Sequence, residues 1–498
     1  MKPCLFVLTF LLVSRSTYSQ QTTYSRQALI NDLDYLEQAL KETHPGLYRY
    51  QTAAQFDSAL AATRAAVTDS MSHRAFYALL TRLVAGIRCA HTVAEPRRNW
   101  LDTLHTAGFF FPFQIYFLEG GPYLVMNRTT STAVATDSRL LTINGRPVKD
   151  IVQEMFRHIS ADGYNETLKY RQIFDYMFSF YYNALIAQTD TFHITYADRK
   201  GQEHSATVNA VTVAEARRNG QQNPLNKPLF QGARREFKAT KGLRRYISVN
   251  RKTGVATLVL KDYFGGKTAE EADAKLRAFM DDCMQKIAGA KVTHLVVDLR
   301  QNAGGYDSQG FELLGYFIDK PVRYYESLHM ITNNSPFLRY SSIPQEQIKN
   351  EAPRLQRQPD GTYPLNEGLM RTLGYVQPRP NAFRGKVYFL ADGGTGSAAA
   401  EFTAVAHSLG LGTFVGEETG GNYTGGNGAE FIGLELPATK MRVNIPLMYY
   451  RNAVKEPAEK GRGTMPHYAV SYTVHDLVTV KDTQLEFVYR LIAEEKKK

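Results

Sequence analysis

Ser397 is the residue whose surroundings best suit covalent chemistry. It lies in Ala391-Asp392-Gly393-Gly394-Thr395-Gly396-Ser397-Ala398-Ala399-Ala400-Glu401-Phe402, after the apolar, β-rich run 387–390 and ahead of an alanine-rich segment, 398–407, that the pattern predicts to be helical. A serine at such a strand-to-helix turn is exposed, and the unpaired N–H groups of the first helical turn point at any oxygen nearby. Those are the requirements of acyl transfer: a hydroxyl to attack a carbonyl, and backbone donors for the charge that develops. The plain alternative is a loop whose serine only caps the helix.

An attacking serine needs a base. A helical pattern through Phe76, Leu80, Leu83 and Ile87 ends at Arg88-Cys89-Ala90-His91-Thr92, which leaves His91 just beyond its apolar face. His44, followed by Pro45, competes on the same grounds, and a histidine after a helix often does no more than bond a backbone group. Cys89 and Cys283 are the cysteines left once the first residues are set aside, and two so far apart read as unpaired buried thiols. No zinc-like spacing of Cys and His occurs, and neither a metal nor an organic cofactor is expected.

Three helices open the mature chain. Ser25 caps the first, whose Leu29, Ile30, Leu33, Leu36 and Leu40 share a face, and His44-Pro45-Gly46 stops it. The second carries Phe56, Leu60 and Val67, and the third leads to His91. From about Phe109 the period becomes that of strands, with 113–117 and 123–126, then Leu140-Leu141-Thr142-Ile143-Asn144-Gly145-Arg146-Pro147-Val148 with its Asn-Gly turn. In the aromatic stretch 162–222, only the strand 191–196 can be placed. Beyond it, strands and helices alternate as in an α/β domain: strand 255–260, a helix opened by Thr268-Ala269-Glu270-Glu271, strand 294–299, and a helix through Phe311 and Leu314. The polar, weakly patterned stretch 331–380 is long for a connection and reads as a lid or insertion beside the site.

The 498 residues include 59 Lys and Arg against 48 Asp and Glu, a formal net charge of +11. The basic residues are scattered apart from Lys496-Lys497-Lys498, so a frayed basic tail accounts for them and no nucleic-acid partner is expected. Lys2, the apolar run 4–13 and the small residues around Thr17-Tyr18-Ser19 have the form of a secretory signal peptide, so the protein is expected to be periplasmic or secreted. No later stretch is long and apolar enough for a stable membrane span.

Three glycine-rich motifs carry a resemblance. Asp298-Leu299-Arg300-Gln301-Asn302-Ala303-Gly304-Gly305, then Asp392-Gly393-Gly394-Thr395-Gly396-Ser397-Ala398-Ala399-Ala400-Glu401, then Val415-Gly416-Glu417-Glu418-Thr419-Gly420-Gly421 resemble, in order, the "DLRxNxGG", "GxTxSAxE" and "GxxTxG" motifs of the serine peptidase family of C-terminal processing peptidases and the tricorn core protease. The resemblance implies an α/β chain with a ClpP/crotonase-like catalytic domain, preceded by an N-terminal helical segment and a PDZ-like β-rich module. It implies Ser397 as nucleophile, with the N–H of Ala398 and that of Gly304 or Gly305 as oxyanion hole. Processing peptidases use a lysine base, but no lysine occurs between Ser397 and Lys440, which points to the tricorn-like branch and makes His91 the base. That branch orients its histidine with a late glutamate. Glu459 matches first and Glu456 second, with His467 where the family has an aspartate. Glu401 and Glu418 are left outside the catalytic set.

The expected organisation is a signal peptide over 1–19, a helical domain over 22–103, a β-rich PDZ-like and aromatic region over 104–250, the peptidase domain over 251–490 and a basic tail over 491–498. The expected activity is that of an exported serine endopeptidase acting on unfolded or C-terminal polypeptide segments. Two alternatives stand beside it. One is a binding protein on a peptidase-like scaffold whose many aromatics line a ligand cavity, and the other is a thioester-processing enzyme of the crotonase fold.

Overall fold

The computed structural model describes residues 22–100, 102, 110–118 and 120–497. The segment 1–19, expected to be a signal peptide, lies outside the described residues. The chain is a mixed α/β protein, and the sheet that carries the serine turn has six strands. Arg245–Asn250 runs antiparallel to Val255–Leu260, and from there His294–Asp298, Lys386–Ala391, Thr413–Gly416 and Tyr468–Ala469 follow in parallel. Every residue of 255–260 and 294–298 is buried, as expected for parallel strands covered on both faces. Helices Ala269–Gly289, Asp307–Leu314 and Ser397–Ser408 follow three of these strands, so the glycine turns at 301–306 and 392–396 lie side by side at strand ends.

Arg245–Asn250 belongs to this sheet, which therefore begins ahead of residue 251. Residues 483–496 are likewise held against the body of the domain rather than frayed. Helix Thr483–Glu495 buries Val488 and Ile492, Glu495 binds Lys386 and Tyr388, and Lys496 reaches the Thr253 carbonyl.

A second sheet is built on the long hairpin Gly425–Glu435 and Arg442–Asn452. The far edge of Arg442–Asn452 is shared. Near its end it pairs with Tyr325–Met330, and at its start with Val93–Glu95, the strand that directly follows His91. The three N-terminal helices, Arg26–Thr43, Ala53–Ala66 and His73–Ala85, place their apolar faces in one continuous core with both sheets. Leu33, Leu36 and Leu40 share it with Val443 and Ile445. Asp32 fixes the contact by accepting hydrogen bonds from the Ala438 and Thr439 N–H groups and the Thr439 hydroxyl at the hairpin tip.

The middle region has its own antiparallel sheet, ordered Phe113–Leu118, Gly121–Asn127, Arg139–Ile143, Thr191–Ala197 and Glu203–Asn209, and its own core. Asn144 and Gly145 both have positive φ (49° and 75°), as the Asn-Gly hairpin turn requires. The aromatic stretch unreadable in sequence forms short helices, Thr167–Gln172 and Tyr176–Tyr181, then one π-helical turn, Tyr182–Ile186. Phe178, Tyr182 and Phe192 pack against one another inside this core, with Tyr182 edge-on to Phe192, while Tyr116, Phe117, Tyr170 and Phe174 help line a separate cavity of about 310 Å³ that Glu417 also borders.

Candidate active site

The two glycine turns are stitched together by side chains from their own motifs. Asp392 Oδ1 accepts the N–H groups of Gln301 and Gly394, both at 2.9 Å. Thr395 donates its hydroxyl to the Leu299 carbonyl (2.9 Å), and the Gly396 N–H bonds the Asn302 carbonyl (2.9 Å). Asn302 is fully buried, donating to the Leu260 carbonyl and accepting the Gly304 N–H at 3.0 Å. Behind them the buried Arg300 guanidinium spans Asp298 and Asp482, which ties the strand end to the start of the last helix.

Ser397 stands on this frame with φ +46°, a left-handed conformation that is strained for any residue bearing a side chain. It is the first residue of its helix, not the cap. Gly396 holds the cap position and supplies no side-chain bond. The plain capping role is therefore not the one Ser397 plays. Its hydroxyl makes no hydrogen bond among the described residues, and neither does the N–H of Ala398.

A side chain on Gly304 would lie 2.8 Å from Ala398 N and 2.8 Å from Ser397 Cβ, so the space beside the Ala398 donor is open because residue 304 lacks one. The Gly304 N–H is itself engaged by Asn302 Oδ1 and is not free for another acceptor. Among the described residues the Gly305 N–H has no such partner, so Ala398 and Gly305 are the free pair.

Strand pairing brings His91, more than 300 residues upstream, to this domain. Val93–Glu95 joins the hairpin, and Asn444 Nδ2 donates to the His91 carbonyl at 3.0 Å. The loop is pinned again where Asp162 Oδ1 accepts the Ala90 N–H (2.8 Å). The imidazole lies against Phe431, with ring centroids 5.6 Å apart, and over Gly428, where a Cβ would come within 3.7 Å of its Cε1. Gly428 and Gly426 face the same side as their cross-strand partners Met448 and Tyr450, and Tyr450 packs toward Glu401 on the serine helix. His91 thus lies on the hairpin face turned toward that helix. No hydrogen bond joins it to Ser397, and its Nδ1 is buried without a partner.

Neither proposed glutamate meets the imidazole. Glu459 is 68% exposed and pairs with Arg462, three residues away, while Glu456 is 60% exposed and pairs with Arg451. Their loop leaves both carboxylates in solvent, where a nearby arginine is the readiest partner. His44 is not a free base: its Nδ1 accepts the Gly46 N–H, its Nε2 bonds the Thr92 hydroxyl at 2.7 Å, and burial lowers it to about 4. It braces the residue beside His91. His467 accepts the Phe414 N–H and packs at a tilt against His407. Glu418 is buried in a two-pronged pair with Arg462, and Cys89 and Cys283 are free and buried. Among the described residues no group of Cys, His, Asp and Glu could hold a metal ion.

Glu401 proves more unusual than its motif position suggested. It is enclosed one helical turn after Ser397, and Tyr325 donates its hydroxyl to it. Burial is the main cause that raises its carboxyl from 4.5 to about 8, and nearby Asp307 adds to the rise. Between those two values the folded chain keeps a proton that the unfolded chain has released. Stability therefore falls as pH rises through that window and levels off above it, by a total of a few kcal/mol. Glu401→Gln keeps the shape and removes the titration. Thermal unfolding followed by circular dichroism should give similar midpoints for variant and wild type at pH 5 and a higher one for the variant at pH 9. A constant difference across that range would exclude the protonated carboxyl.

Comparison with known proteins agrees with this architecture. Residues 246–470 match the model of peptidase family S41. Mature CPAF aligns over 94% of this chain and 96% of its own, at 14% identity and a TM-score of 0.62. Mature CPAF complexed with lactacystin aligns over 94% and 98%, at 13% identity and a TM-score of 0.60. At such identities the likeness establishes a common fold, and no curated protein matches the chain. The match at 246–470 covers the six-stranded domain, with its serine turn between two glycine loops, and supports a serine-type peptidase of the S41 kind there.

Proposed function

We propose that the chain is an exported endopeptidase that cuts unfolded or C-terminal polypeptide segments with Ser397 as nucleophile and His91 as base. The observation that carries this reading is Ser397 held at positive φ beside an unpaired Ala398 N–H. Such strain, away from any capping role, is typical of residues held for chemistry. In the proposed reaction Ser397 Oγ attacks the peptide carbonyl carbon and its proton passes to His91. The Ala398 and Gly305 N–H groups hold the oxyanion. His91 returns the proton to the departing amine as the C–N bond breaks, then draws a proton from the water that hydrolyses the acyl-enzyme. The hydrogen bond between serine and base would form with substrate bound, since such bonds are often long in free enzymes. No glutamate is needed in contact with His91 for these steps, and Glu459 and Glu456 are not assigned one.

We further read the six-stranded domain as ClpP/crotonase-like and the middle module as PDZ-like, the latter from its Asn-Gly hairpin and antiparallel sheet. Export rests on the first residues of the sequence. Among the described residues no helix is long and apolar enough to cross a membrane. The direct test is a serine-directed fluorophosphonate. A single labelled peptide containing Ser397 is the expected result. Absence of label would favour the reading as a non-catalytic binding protein.

A further inference from the structure

The stretch 331–380 forms a wall beside the His91 face of the hairpin. Its segment 336–342 docks on the hairpin edge, where the Ser342 N–H bonds the Phe431 carbonyl (2.8 Å) and the Phe431 N–H bonds Ser342 Oγ (2.9 Å). The strand Tyr363–Pro364 joins the far edge of the same sheet. Between this wall and the hairpin lies a partly open cavity of about 90 Å³, floored by Met330, Leu338, Ile348, Leu355, Met370 and Met448.

Two features place the cavity next to the catalytic face. Met448 pairs across the hairpin with Gly428, whose missing side chain leaves room for the His91 ring. Glu430 lines the cavity while its neighbour Phe431 packs on that ring. The bulge between Gly428 and Phe431, with Ala429 at φ +63°, turns these adjacent side chains to their separate tasks.

We propose that this cavity is a specificity pocket that receives one aliphatic side chain of the polypeptide, close to the bond that is cut. This rests on the peptidase reading above. Thioether and aliphatic walls favour Leu, Ile, Val or Met. Glu430 and Glu351 at its lining disfavour acidic side chains. An aromatic ring is disfavoured by size, since an apolar cavity that admits benzene measures about 150 Å³.

The test is the cleavage profile of denatured casein, read by mass spectrometry for the wild type, Ile348→Trp and Ile348→Ala. The wild type should show roughly tenfold enrichment of Leu, Ile, Val and Met at one fixed position near the cut. Ile348→Trp fills the pocket and should shift that position to Gly, Ala and Ser. Ile348→Ala enlarges it and should gain cuts at Phe and Tyr, which loss of folding cannot produce. An unenriched wild-type profile, or the same profile in all three, overturns the proposal. If the wild type neither cleaves nor takes a fluorophosphonate, the peptidase reading fails, and the pocket is judged by retention of a pepsin digest of casein on the immobilised protein. Retained peptides rich in aliphatic residues, and lost with Ile348→Trp, uphold the pocket; equal retention by both proteins overturns it.

Discussion

Casein hydrolysis is expected to fall by about 10⁴-fold to 10⁶-fold in Ser397→Ala and by a similar factor in His91→Ala, because nucleophile and base act as one unit. The double variant should be no worse than either single one, since the second change removes nothing that still works. Stability separates this outcome from simple damage. Ser397 sits at φ +46°, so Ser397→Ala keeps the strain and should unfold near the wild-type temperature. Ser397→Gly relieves the strain and should be more stable by about 1 kcal/mol while being equally inactive. A gain in stability with a total loss of activity marks a residue kept for chemistry. If Ser397→Ala is inactive and His91→Ala is not, the base lies elsewhere. His44 is a poor substitute because both its ring nitrogens are engaged inside the core, which leaves His467 as the next residue to change.

What the sequence made legible was local. The three glycine motifs sit at strand ends because apolar runs such as 294–298 and 386–391 are buried strands, and their punctuation is visible without knowing the pairing. The helix faces of Leu29, Leu33, Leu36 and Leu40 were equally plain, since period alone defines them. What stayed hidden was set by partners distant in the chain. Nothing in Val93-Ala94-Glu95 announces that it pairs with 442–444, yet that register delivers His91. Asp162, which pins the His91 loop, and Gly428, which makes room for the ring, carry no motif.

The family pattern also left Gly304 and Gly305 equivalent. A side-chain contact separated them, because Asn302 takes the Gly304 N–H, and the asparagine was in the motif without a role until its two bonds were seen. The late glutamates failed for the opposite reason. Spacing alone proposed them, and spacing in a solvent-exposed loop does not fix where a carboxylate points.

Gly304→Ala should reduce casein hydrolysis by about 10³-fold or more while leaving the core folded. At φ +95° any side chain at this position costs about 1–2 kcal/mol. The added Cβ would also fall 2.8 Å from Ala398 N, 2.8 Å from Ser397 Cβ and 2.9 Å from the Gly396 carbonyl oxygen. These are atoms of the serine turn itself, which cannot swing aside as the tip of a long side chain could, so either the 301–306 loop retreats or Ser397 is displaced. Retreat takes the Gly305 donor with it, and losing one oxyanion donor costs about 10²–10³-fold. Displacement of the nucleophile by about 1 Å costs about 10²-fold by itself. Two other glycines calibrate the result. At Gly428 a Cβ would meet the edge of Tyr450 at 3.3 Å and His91 Cε1 at 3.7 Å, so Gly428→Ala should cost about tenfold or less in activity, through small shifts of the base. At Gly433 nothing lies within 4 Å, and Gly433→Ala should leave hydrolysis unchanged. Initial rates together with thermal midpoints for the three variants test this order. If Gly304→Ala hydrolyses casein like the wild type, the close approach of the two turns is a packing feature alone, and the oxyanion donors must be sought away from the 301–306 loop.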